Sequence, residues 1–282
     1  MILYYAVGGG WGHVVRASAA IYTLRRQAFI QKQQPVLVLY SSSAAAQVAF
    51  PEGTTLLKVP DDFQQQIDPY RNWLKHLLKS HKVETLIMDT FPTGIIGEWN
   101  FLQAFPSLRL IYLARTLLWQ AYLPFLHPIH FHTAFSLELL PDSQQTYLEQ
   151  HAAARHHLSL IYPQKASSPL PTLPVNSWLV VHSSPPDEIA SLVAYAKEIA
   201  QLEQVKPYWV LVSPSQISNT VVDQQFAFYP AHLLFTQVQK IITACGYNTM
   251  QQTEPFKEKH LFLPFPRRFD DQVWRATLRK RL

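Results

Sequence analysis

Apolar and polar positions along the first half of the chain follow a regular alternation of strand and helix patterns. Short, continuous apolar runs predict strands that are buried on both faces, as in a parallel sheet. Between these runs, apolar residues recur at helical spacing, which predicts covering helices and right-handed crossovers. The predicted strands are ILYYAV, VLVLY, TLLKV, TLIMD and LRLIYLA, and the predicted helices are RASAAIYTLRRQ, SAAAQVAF, PYRNWLKHLLKSH and GIIGEWNFLQAF.

The alternation is interrupted at residues 164–174, QKASSPLPTLP, whose prolines cannot continue a helix or a central strand. We therefore predict an α/β protein with an N-terminal domain over residues 1–170 and a C-terminal domain over residues 175–282. The second domain is short, and we expect a shortened version of the same architecture. Its predicted strands are SWLVVHS, YWVLVSP, TVVDQQF, KIITACG and KHLFLPF, and its predicted helices are DEIASLVAYAKEIAQLE, a short one near HLLFTQVQ, NTMQQT and DDQVWRATLRKRL.

The composition supports a globular protein, with 48% hydrophobic and 15% charged residues among 282. The single cysteine, Cys245, excludes an intramolecular disulfide and a cysteine-based zinc cluster. The three histidines of HPIHFH (127, 130 and 132) have no acidic or cysteine neighbour, so we predict no metal site there.

The charge pattern narrows the classes of partner. The formal charge is +5, but the basic residues are mostly scattered, so we predict no nucleic-acid binding. A phosphate-bearing small molecule or an anionic membrane surface would explain the excess equally well. The longest apolar stretch, LIYLARTLLWQAYLPFL, is too short and too polar to span a bilayer, and the N-terminus lacks a signal-peptide pattern. We expect a cytoplasmic protein and leave open peripheral contact at the inner membrane face.

The glycine-rich turn GGGWGH follows the first predicted strand. It lacks the third glycine of a dinucleotide fingerprint, no acid follows the second strand, and no GK[ST] sequence follows, so we predict neither dinucleotide nor P-loop binding. The turn instead presents His13 at a helix N-terminus, where the dipole keeps an imidazole neutral and able to accept a proton. A plain helix cap is the alternative. Arg16, one turn on, faces either an anionic group or solvent.

Three further junctions carry polar residues at strand ends, where open α/β sheets bind ligands. Asp89 ends TLIMD and either orients His13 or caps the following turn. In TACGYNTMQQT, the residues from Gly246 to Thr249 form either a phosphate site or an ordinary cap. Asp271 and Gln272 open the last helix and either hold vicinal hydroxyls or cap it.

Together, GGGWGHVVRASA, DTFPTGIIGE, CGYNTMQQ and RRFDDQVWRA resemble glycosyltransferases of the GT-B fold, specifically bacterial predicted glycosyltransferases akin to the MurG family, of the glycosyltransferase family 28 type. The resemblance implies two Rossmann-like domains facing a central cleft, and inverting, metal-independent transfer from a nucleotide sugar such as a UDP-sugar. It implies no cofactor, since the nucleotide sugar is a substrate. The acceptor stays open among a lipid, a saccharide and a small molecule, and its selection is expected from residues 116–134.

The resemblance also implies roles for individual residues. His13 resembles the base that deprotonates the acceptor hydroxyl, with Asp89 as its partner. The other implied residues lie on the acceptor or phosphate side (Gly10, Gly12, Arg16 and Arg115), at the donor diphosphate (Gly246, Asn248 and Thr249) and at the sugar hydroxyls (Asp271 and Gln272).

The chain departs from the family pattern at three places. Cys245 replaces the first glycine of the donor loop, and Gln252 replaces the glutamate expected at the donor ribose. The loop HSSPPDE is not glycine-rich, so His182, Ser183 and Ser184 are the candidates for phosphate contacts there, and the terminal helix of the usual fold looks absent. These departures keep two alternatives open: a non-catalytic GT-B-like protein that binds a nucleotide or sugar, and a nucleotide-sugar epimerase.

Overall fold

The computed structural model describes residues 1–8, 10–41, 48–164, 166, 168–183, 185–214 and 222–281. The chain forms two compact units. The first comprises Met1–Ile161 together with Arg268–Asp271, and the second comprises Tyr162–Arg267 together with Gln272–Leu282. The short segment Arg268–Asp271 therefore belongs with the N-terminal part of the chain, which the sequence pattern did not indicate.

The first unit is built on a seven-stranded sheet in the order β3-β2-β1-β4-β5-β6-β7, and every pairing in it is parallel. The predicted parallel α/β architecture is confirmed for this unit. The strands are β1 (Ile2–Ala6), β2 (Val36–Tyr40), β3 (Thr54–Lys58), β4 (Thr85–Asp89), β5 (Arg109–Ala114), β6 (Thr133–Ser136) and β7 (Arg155–His157).

Helices connect these strands. All five residues of β1 are buried, as the continuous apolar run predicted. The helix after it places Ala17, Ala19 and Ala20 in the core, where small side chains allow close packing against the sheet. The helices are α1 (Gly12–Arg26), α2 (Ile67–Ser80), α3 (Trp119–Tyr122) and α4 (Asp142–His151), with 3-10 turns at Asp61–Gln65, Leu102–Ala104 and Leu123–Phe125.

The helix predicted at GIIGEWNFLQAF is wrong, because the segment forms turns and only the 3-10 turn Leu102–Ala104. Gly94 and Gly97 have φ angles of 88° and 75°, which a right-handed helix does not allow. The Glu98 carboxylate accepts the main-chain N–H groups of Ile95 and Ile96, at 3.0 and 2.9 Å, and so offers the backbone an alternative to helical bonds. The predicted helix SAAAQVAF falls mostly on residues 42–47, outside the described residues.

The second unit is built on a five-stranded parallel sheet in the order β10-β9-β8-β11-β12. Alternate residues of β8 pack on opposite faces, with Trp178 and Val180 in the cluster beneath the following helix and Leu179 in the cluster with Leu234 and Phe235. The elements are β8 (Ser177–Val181), α5 (Pro186–Leu202), β9 (Tyr208–Val212), β10 (Gln224–Phe226), β11 (Lys240–Ala244), α6 (Tyr247–Gln252), β12 (His260–Leu263) and α7 (Gln272–Arg281), with 3-10 turns at Ala231–Gln237 and Glu254–Lys259.

The described part of the chain contains neither a membrane-spanning helix nor a metal-binding cluster. None of its helices combines the length and the apolar character needed to cross a membrane. Within the same residues, no cluster of three or more His, Cys, Asp or Glu side chains is arranged to hold a metal ion.

Candidate active site

The carboxyl ends of β1 and β4 bring His13 and Asp89 together. These two strands are neighbours in the sheet, Asp89 is the last residue of β4, and His13 is the second residue of α1, which follows β1. His13 Nδ1 lies 2.9 Å from Asp89 Oδ2, and the two side chains are 8% and 0% exposed. The structure thus joins two residues that the sequence singled out separately, 76 positions apart.

Arg16 completes this cluster from the next turn of α1. Its Nε donates to Asp89 Oδ1 at 2.6 Å, and its Nη2 donates to Asp89 Oδ2 at 2.8 Å, so the guanidinium binds the carboxylate in bidentate fashion. The same Nη2 donates to Thr90 Oγ1 at 2.9 Å. Arg16 was expected to face either an anionic group or solvent, and it faces the anionic carboxylate of Asp89. Arg16 is 2% exposed, and its predicted place on the acceptor or phosphate side stays a prediction.

Arg115 extends the network along the edge of the sheet. Its Nε donates to Thr90 Oγ1 at 2.9 Å, and its Nη1 donates to Asp270 Oδ1 at 2.9 Å. The Thr90 hydroxyl donates in turn to Asp89 Oδ1 at 3.3 Å. Arg115, predicted on the acceptor or phosphate side, is thus 7% exposed and bound to groups of the protein.

Burial and neighbouring charge set the protonation states of the pair. Burial alone would raise the pKa of Asp89, but the Arg16 guanidinium and His13 hold that pKa well below its usual range. Burial, followed by the positive charge of Arg16, lowers the pKa of His13 to about 4. His13 is therefore neutral at pH 7. Its Nδ1 lies 2.9 Å from Asp89 Oδ2 and 3.0 Å from Arg16 Nη2. Because Arg16 Nη2 already donates to Asp89 Oδ2, we assign the imidazole proton to Nδ1, where it donates to the carboxylate. That assignment leaves Nε2 with a lone pair that can accept a proton.

The glycine turn holds the imidazole in place. A Cβ at Gly8 would overlap Cδ2 and Nε2 of His13, so the ring lies directly against the Gly8 backbone. The hydroxyl of Ser41, the residue after β2, accepts from Gly8 N at 3.0 Å and donates to Gly8 O at 2.8 Å. Phe91 stacks on the other side of the imidazole, with ring centroids 5.8 Å apart. Sequence reasoning did not assign these supporting roles to Gly8, Ser41 or Phe91.

Gly10 and Gly12 have other roles in the same turn. Gly10 has a φ of 77°, which favours glycine, and an added Cβ would meet nothing within 4 Å. Gly12 is the exposed first residue of α1. Gly10 therefore allows the turn that leads into α1, and Gly12 begins the helix.

In the second unit, the predicted donor residues lie around the start of α6. Gly246 precedes the helix with φ −66° and ψ 145°, and an added Cβ would meet only Thr249 Oγ1, at 3.9 Å. The buried Tyr162 hydroxyl donates to Asn248 Oδ1 at 3.2 Å and so orients that amide. Gln252 is half-buried one helical turn beyond Asn248, on the same side of α6.

Other predicted donor residues are engaged by the protein itself. The Cys245 side chain is fully buried with Met250 and Ala276, and its contact with the donor stays a prediction. Gln272 is 4% exposed, and its Oε1 accepts a hydrogen bond from Phe265 N at 3.0 Å. The oxygen of its amide is therefore already bonded within the protein. Asp271 is half-buried.

The loop after β8 is occupied by an ion-pair cluster. His182 Nε2 lies 2.8 Å from Glu188 Oε2, and Arg267 binds both oxygens of the same carboxylate. Helix α5 begins with proline and carries Asp187 and Glu188 in its first turn. A missing N–H and two acids disfavour an anion at this helix start, so the geometry does not support the predicted phosphate contact of His182. Ser183 is half-buried, and Ser184 lies outside the described residues.

No protein-family model matches the chain, and no curated protein matches it at a significant level. Solved structures do match. The spinosyn forosaminyltransferase SpnP aligns over 98% of this chain and 82% of its own, with a TM-score of 0.62 and 13% identity. The spinosyn rhamnosyltransferase SpnG, solved with thymidine diphosphate, aligns over 94% and 80%, with a TM-score of 0.58 and 12% identity.

A third similar structure is described as an epimerase and not as a transferase. A putative UDP-N-acetylglucosamine 2-epimerase from Listeria monocytogenes aligns over 95% of this chain and 80% of its own, with a TM-score of 0.59 and 10% identity. Likeness at these identities defines the fold. The chain has the GT-B glycosyltransferase fold, with one parallel α/β sheet in each unit. Its structural neighbours are glycosyltransferases together with some UDP-N-acetylglucosamine 2-epimerases.

Proposed function

We propose that this protein is an inverting, metal-independent glycosyltransferase that moves a sugar from a nucleotide sugar, in the first instance a UDP-sugar, to an acceptor hydroxyl. The observation that carries the proposal is the buried His13–Asp89 pair at the carboxyl edge of the larger sheet. With Nδ1 bonded to the carboxylate, Nε2 is the atom that accepts the acceptor proton. One base acting on the acceptor suits direct displacement at the anomeric carbon, and therefore inversion.

The donor is assigned to the start of α6. The backbone at Gly246 has an ordinary φ, and a Cβ there would make only a van der Waals contact, so the fold itself does not require glycine. The absence of a side chain leaves room for a ligand to approach the backbone, as a diphosphate does at a helix N-terminus. Asn248 and Thr249 add an amide and a hydroxyl beside it, and the helix dipole stabilises the leaving diphosphate without a metal ion.

Donor binding and transfer are tested separately. Thermal unfolding is followed with UDP-, GDP- and TDP-sugars, and at least one is expected to raise the melting temperature. His13→Ala is expected to lower transfer by about 100-fold or more while leaving the donor-induced shift intact. His76→Ala, an exposed histidine of α2, is the matched control and should keep full activity. Added EDTA should change neither the donor-induced shift in melting temperature nor the transfer rate.

Two results would contradict the proposal. If no nucleotide sugar changed the melting temperature, the proposed donor site would be wrong. If His13→Ala kept full transfer activity, His13 would not be the base. Products formed without any acceptor are analysed as well, because an epimerase releases an altered nucleotide sugar and a transferase does not.

A second candidate function is binding of a nucleotide sugar without turnover. The loop after β8 favours it, since Glu188 is paired with His182 and Arg267 where a phosphate contact was predicted. A donor-induced rise in melting temperature, with no product from any acceptor tested, would support this candidate over transfer.

A further inference from the structure

Thr90, the residue that follows β4, has an unusual main-chain conformation. Its φ angle is 73°, in the left-handed region, where a β-branched residue is an outlier. Phe91 N donates to Asp89 O at 2.8 Å, and this bond from residue i+2 to residue i closes a γ-turn centred on Thr90. A γ-turn with a positive φ is the rare, strained form. Such strain persists only where the surrounding structure holds it, and it clusters at functional sites.

The γ-turn brings the residues on its two sides to the same imidazole. Asp89, before the turn, places Oδ2 2.9 Å from His13 Nδ1, at the edge of the ring. Phe91, after the turn, stacks on the face of the ring, with centroids 5.8 Å apart. In the chain, the strained residue therefore lies between the two side chains that fix the position of the proposed base.

Strand β5 holds the γ-turn by the main-chain groups of Thr90. Thr90 N donates to Leu113 O at 3.0 Å, and the Tyr112 hydroxyl donates to Thr90 O at 2.8 Å. Thr90 is fully buried, so both bonds lie in a low-dielectric interior, where they are stronger than in water. The directions of the N–H and C=O groups are set by the conformation of the turn, so these bonds stabilise that conformation.

The Thr90 hydroxyl joins two cations to the carboxylate. Arg16 Nη2 and Arg115 Nε each donate to Oγ1 at 2.9 Å. A hydroxyl has two lone pairs and one proton, so the two guanidinium groups occupy its acceptor sites. Its proton is left for Asp89 Oδ1, 3.3 Å away. The hydroxyl thus uses its full hydrogen-bonding capacity within the network, and it connects both arginines to Asp89.

The outer end of the network is anchored by a segment far along the chain. Arg115 Nη1 donates to Asp270 Oδ1 at 2.9 Å, and the two side chains are 8% and 13% exposed. Leu118 N donates to Phe269 O at 2.7 Å, so the main chain of this segment is bonded to the loop after β5. Leu117 and Asp270 form an antiparallel bridge in the same place. Asp270 is therefore a fixed counter-ion for Arg115.

We propose that Thr90 is a positioning residue for the His13–Asp89 pair, because its γ-turn sets the place of the carboxylate and its hydroxyl sets the orientation. Arg115 and Asp270 hold that hydroxyl from the outer side. Thr90 is buried, so it acts through Asp89 and not on a substrate. The inference rests on the proposed function, in which His13 accepts the proton of the acceptor hydroxyl.

The first test needs no substrate. In the full chain, ¹H–¹⁵N NMR of the His13 imidazole reports which ring nitrogen carries the proton, and His13→Gln identifies the signals. Wild type and Thr90→Ser are expected to carry it on Nδ1. Thr90→Val keeps the shape of the side chain without the hydroxyl, and should show a mixture of the two neutral forms. A wild-type spectrum in Thr90→Val, or a wild type protonated on Nε2, would overturn the inference.

The second test is the rate of transfer from a nucleotide sugar that raises the melting temperature. Thr90→Val is expected to lower kcat about 100-fold, because small displacements of a catalytic group cost rate on that scale, while the donor KM changes by less than about threefold. Thr90→Ser restores the hydroxyl and should stay within about threefold of the wild-type kcat. A wild-type kcat in Thr90→Val, or equally low values in both variants, would overturn the inference.

Thr93→Val is the matched control, since Thr93 lies in the same loop and is equally buried. Its hydroxyl lies 2.9 Å from the Tyr122 hydroxyl and donates to Phe125 O at 2.7 Å. Both valine variants should lower the midpoint of urea unfolding, but only Thr90→Val should change kcat and the imidazole spectrum. Equal losses of kcat in the two variants would indicate a general packing effect and overturn the inference.

Where Thr90→Val does not fold, Asp270→Asn tests the same network from its outer end. It removes the charge that pairs with Arg115, so kcat is expected to fall about tenfold and the imidazole spectrum to change. An unchanged kcat and spectrum would overturn the inference. When no nucleotide sugar binds or is consumed, the proposed function fails, and the imidazole spectra still decide whether Thr90 positions the pair.

Discussion

At the scale of single residues, the two glycines Gly8 and Gly10 of the first turn are needed for different reasons. Gly8 lacks a side chain because the imidazole of His13 occupies the space where a Cβ would lie. Gly10 faces open space, but its φ of 77° belongs to the left-handed region. One glycine therefore positions a functional side chain, and the other only shapes the backbone.

Gly8→Ala is expected to displace the imidazole by about 1 Å and to lower kcat by about 100-fold, because misplaced catalytic groups lose rate at roughly that scale. Gly10→Ala is the control and should cost about 1 kcal/mol of unfolding free energy while keeping kcat. Steady-state kinetics and urea unfolding of both variants check this. A larger loss of kcat in Gly10→Ala than in Gly8→Ala would contradict the assignment.

At the scale of elements, a buried carboxylate shapes the loop after β4. Glu98 is fully buried. Its carboxylate accepts hydrogen bonds from the N–H groups of Ile95 and Ile96 and from the hydroxyl of Tyr5, which lies on β1. A Cβ at Gly94 would overlap this carboxylate, so the loop is folded tightly around it. The same loop begins with Phe91, which stacks on His13, so the packing of Glu98 supports the site from a distance.

Glu98→Gln is expected to lower the unfolding free energy by about 2–3 kcal/mol, since an amide NH₂ would face donors that now meet a carboxylate oxygen. Tyr70→Phe is the control, because Tyr70 OH contacts only the far side of this network, 2.9 Å from Tyr5 OH, and should cost about 1 kcal/mol. Urea unfolding measures both changes. Equal small losses in the two variants would show that Glu98 does not organise the loop.

At the scale of the whole molecule, the sequence predicted buried strands and the polar residues at their ends, but not exposed strands or contacts between residues far apart in the chain. β1, β4 and β8 were recognised because both faces are buried and the apolar run is continuous. β6 and β7 were missed, since one has four residues and the other, RHH, is exposed. His13 and Asp89 were singled out because His13 lies at the start of the helix after β1 and Asp89 ends β4. The pairing of Arg115 with Asp270 joins residues 155 positions apart, and no local pattern encodes it.

Buried neutral histidines give the whole molecule a common dependence on pH. Burial lowers the pKa of His13 and His232 to about 4 and that of His260 to about 3. In the unfolded chain these side chains titrate at about 6.5, so between about pH 6.5 and 4 the unfolded state binds more protons. The unfolding free energy therefore falls as pH falls through this window, by about 1.4 kcal/mol per pH unit for each histidine.

Calorimetric or urea unfolding between pH 7 and 4.5 checks this expectation. His260→Gln removes one of the titrations and should make the dependence shallower, whereas the exposed His76→Ala should leave it unchanged. Asp89 adds its contribution only at lower pH, because its carboxylate is stabilised above the ordinary aspartate pKa and that stabilisation is lost below it. A constant unfolding free energy from pH 6.5 to 4.5 would contradict the neutral state of these three imidazoles in the folded protein.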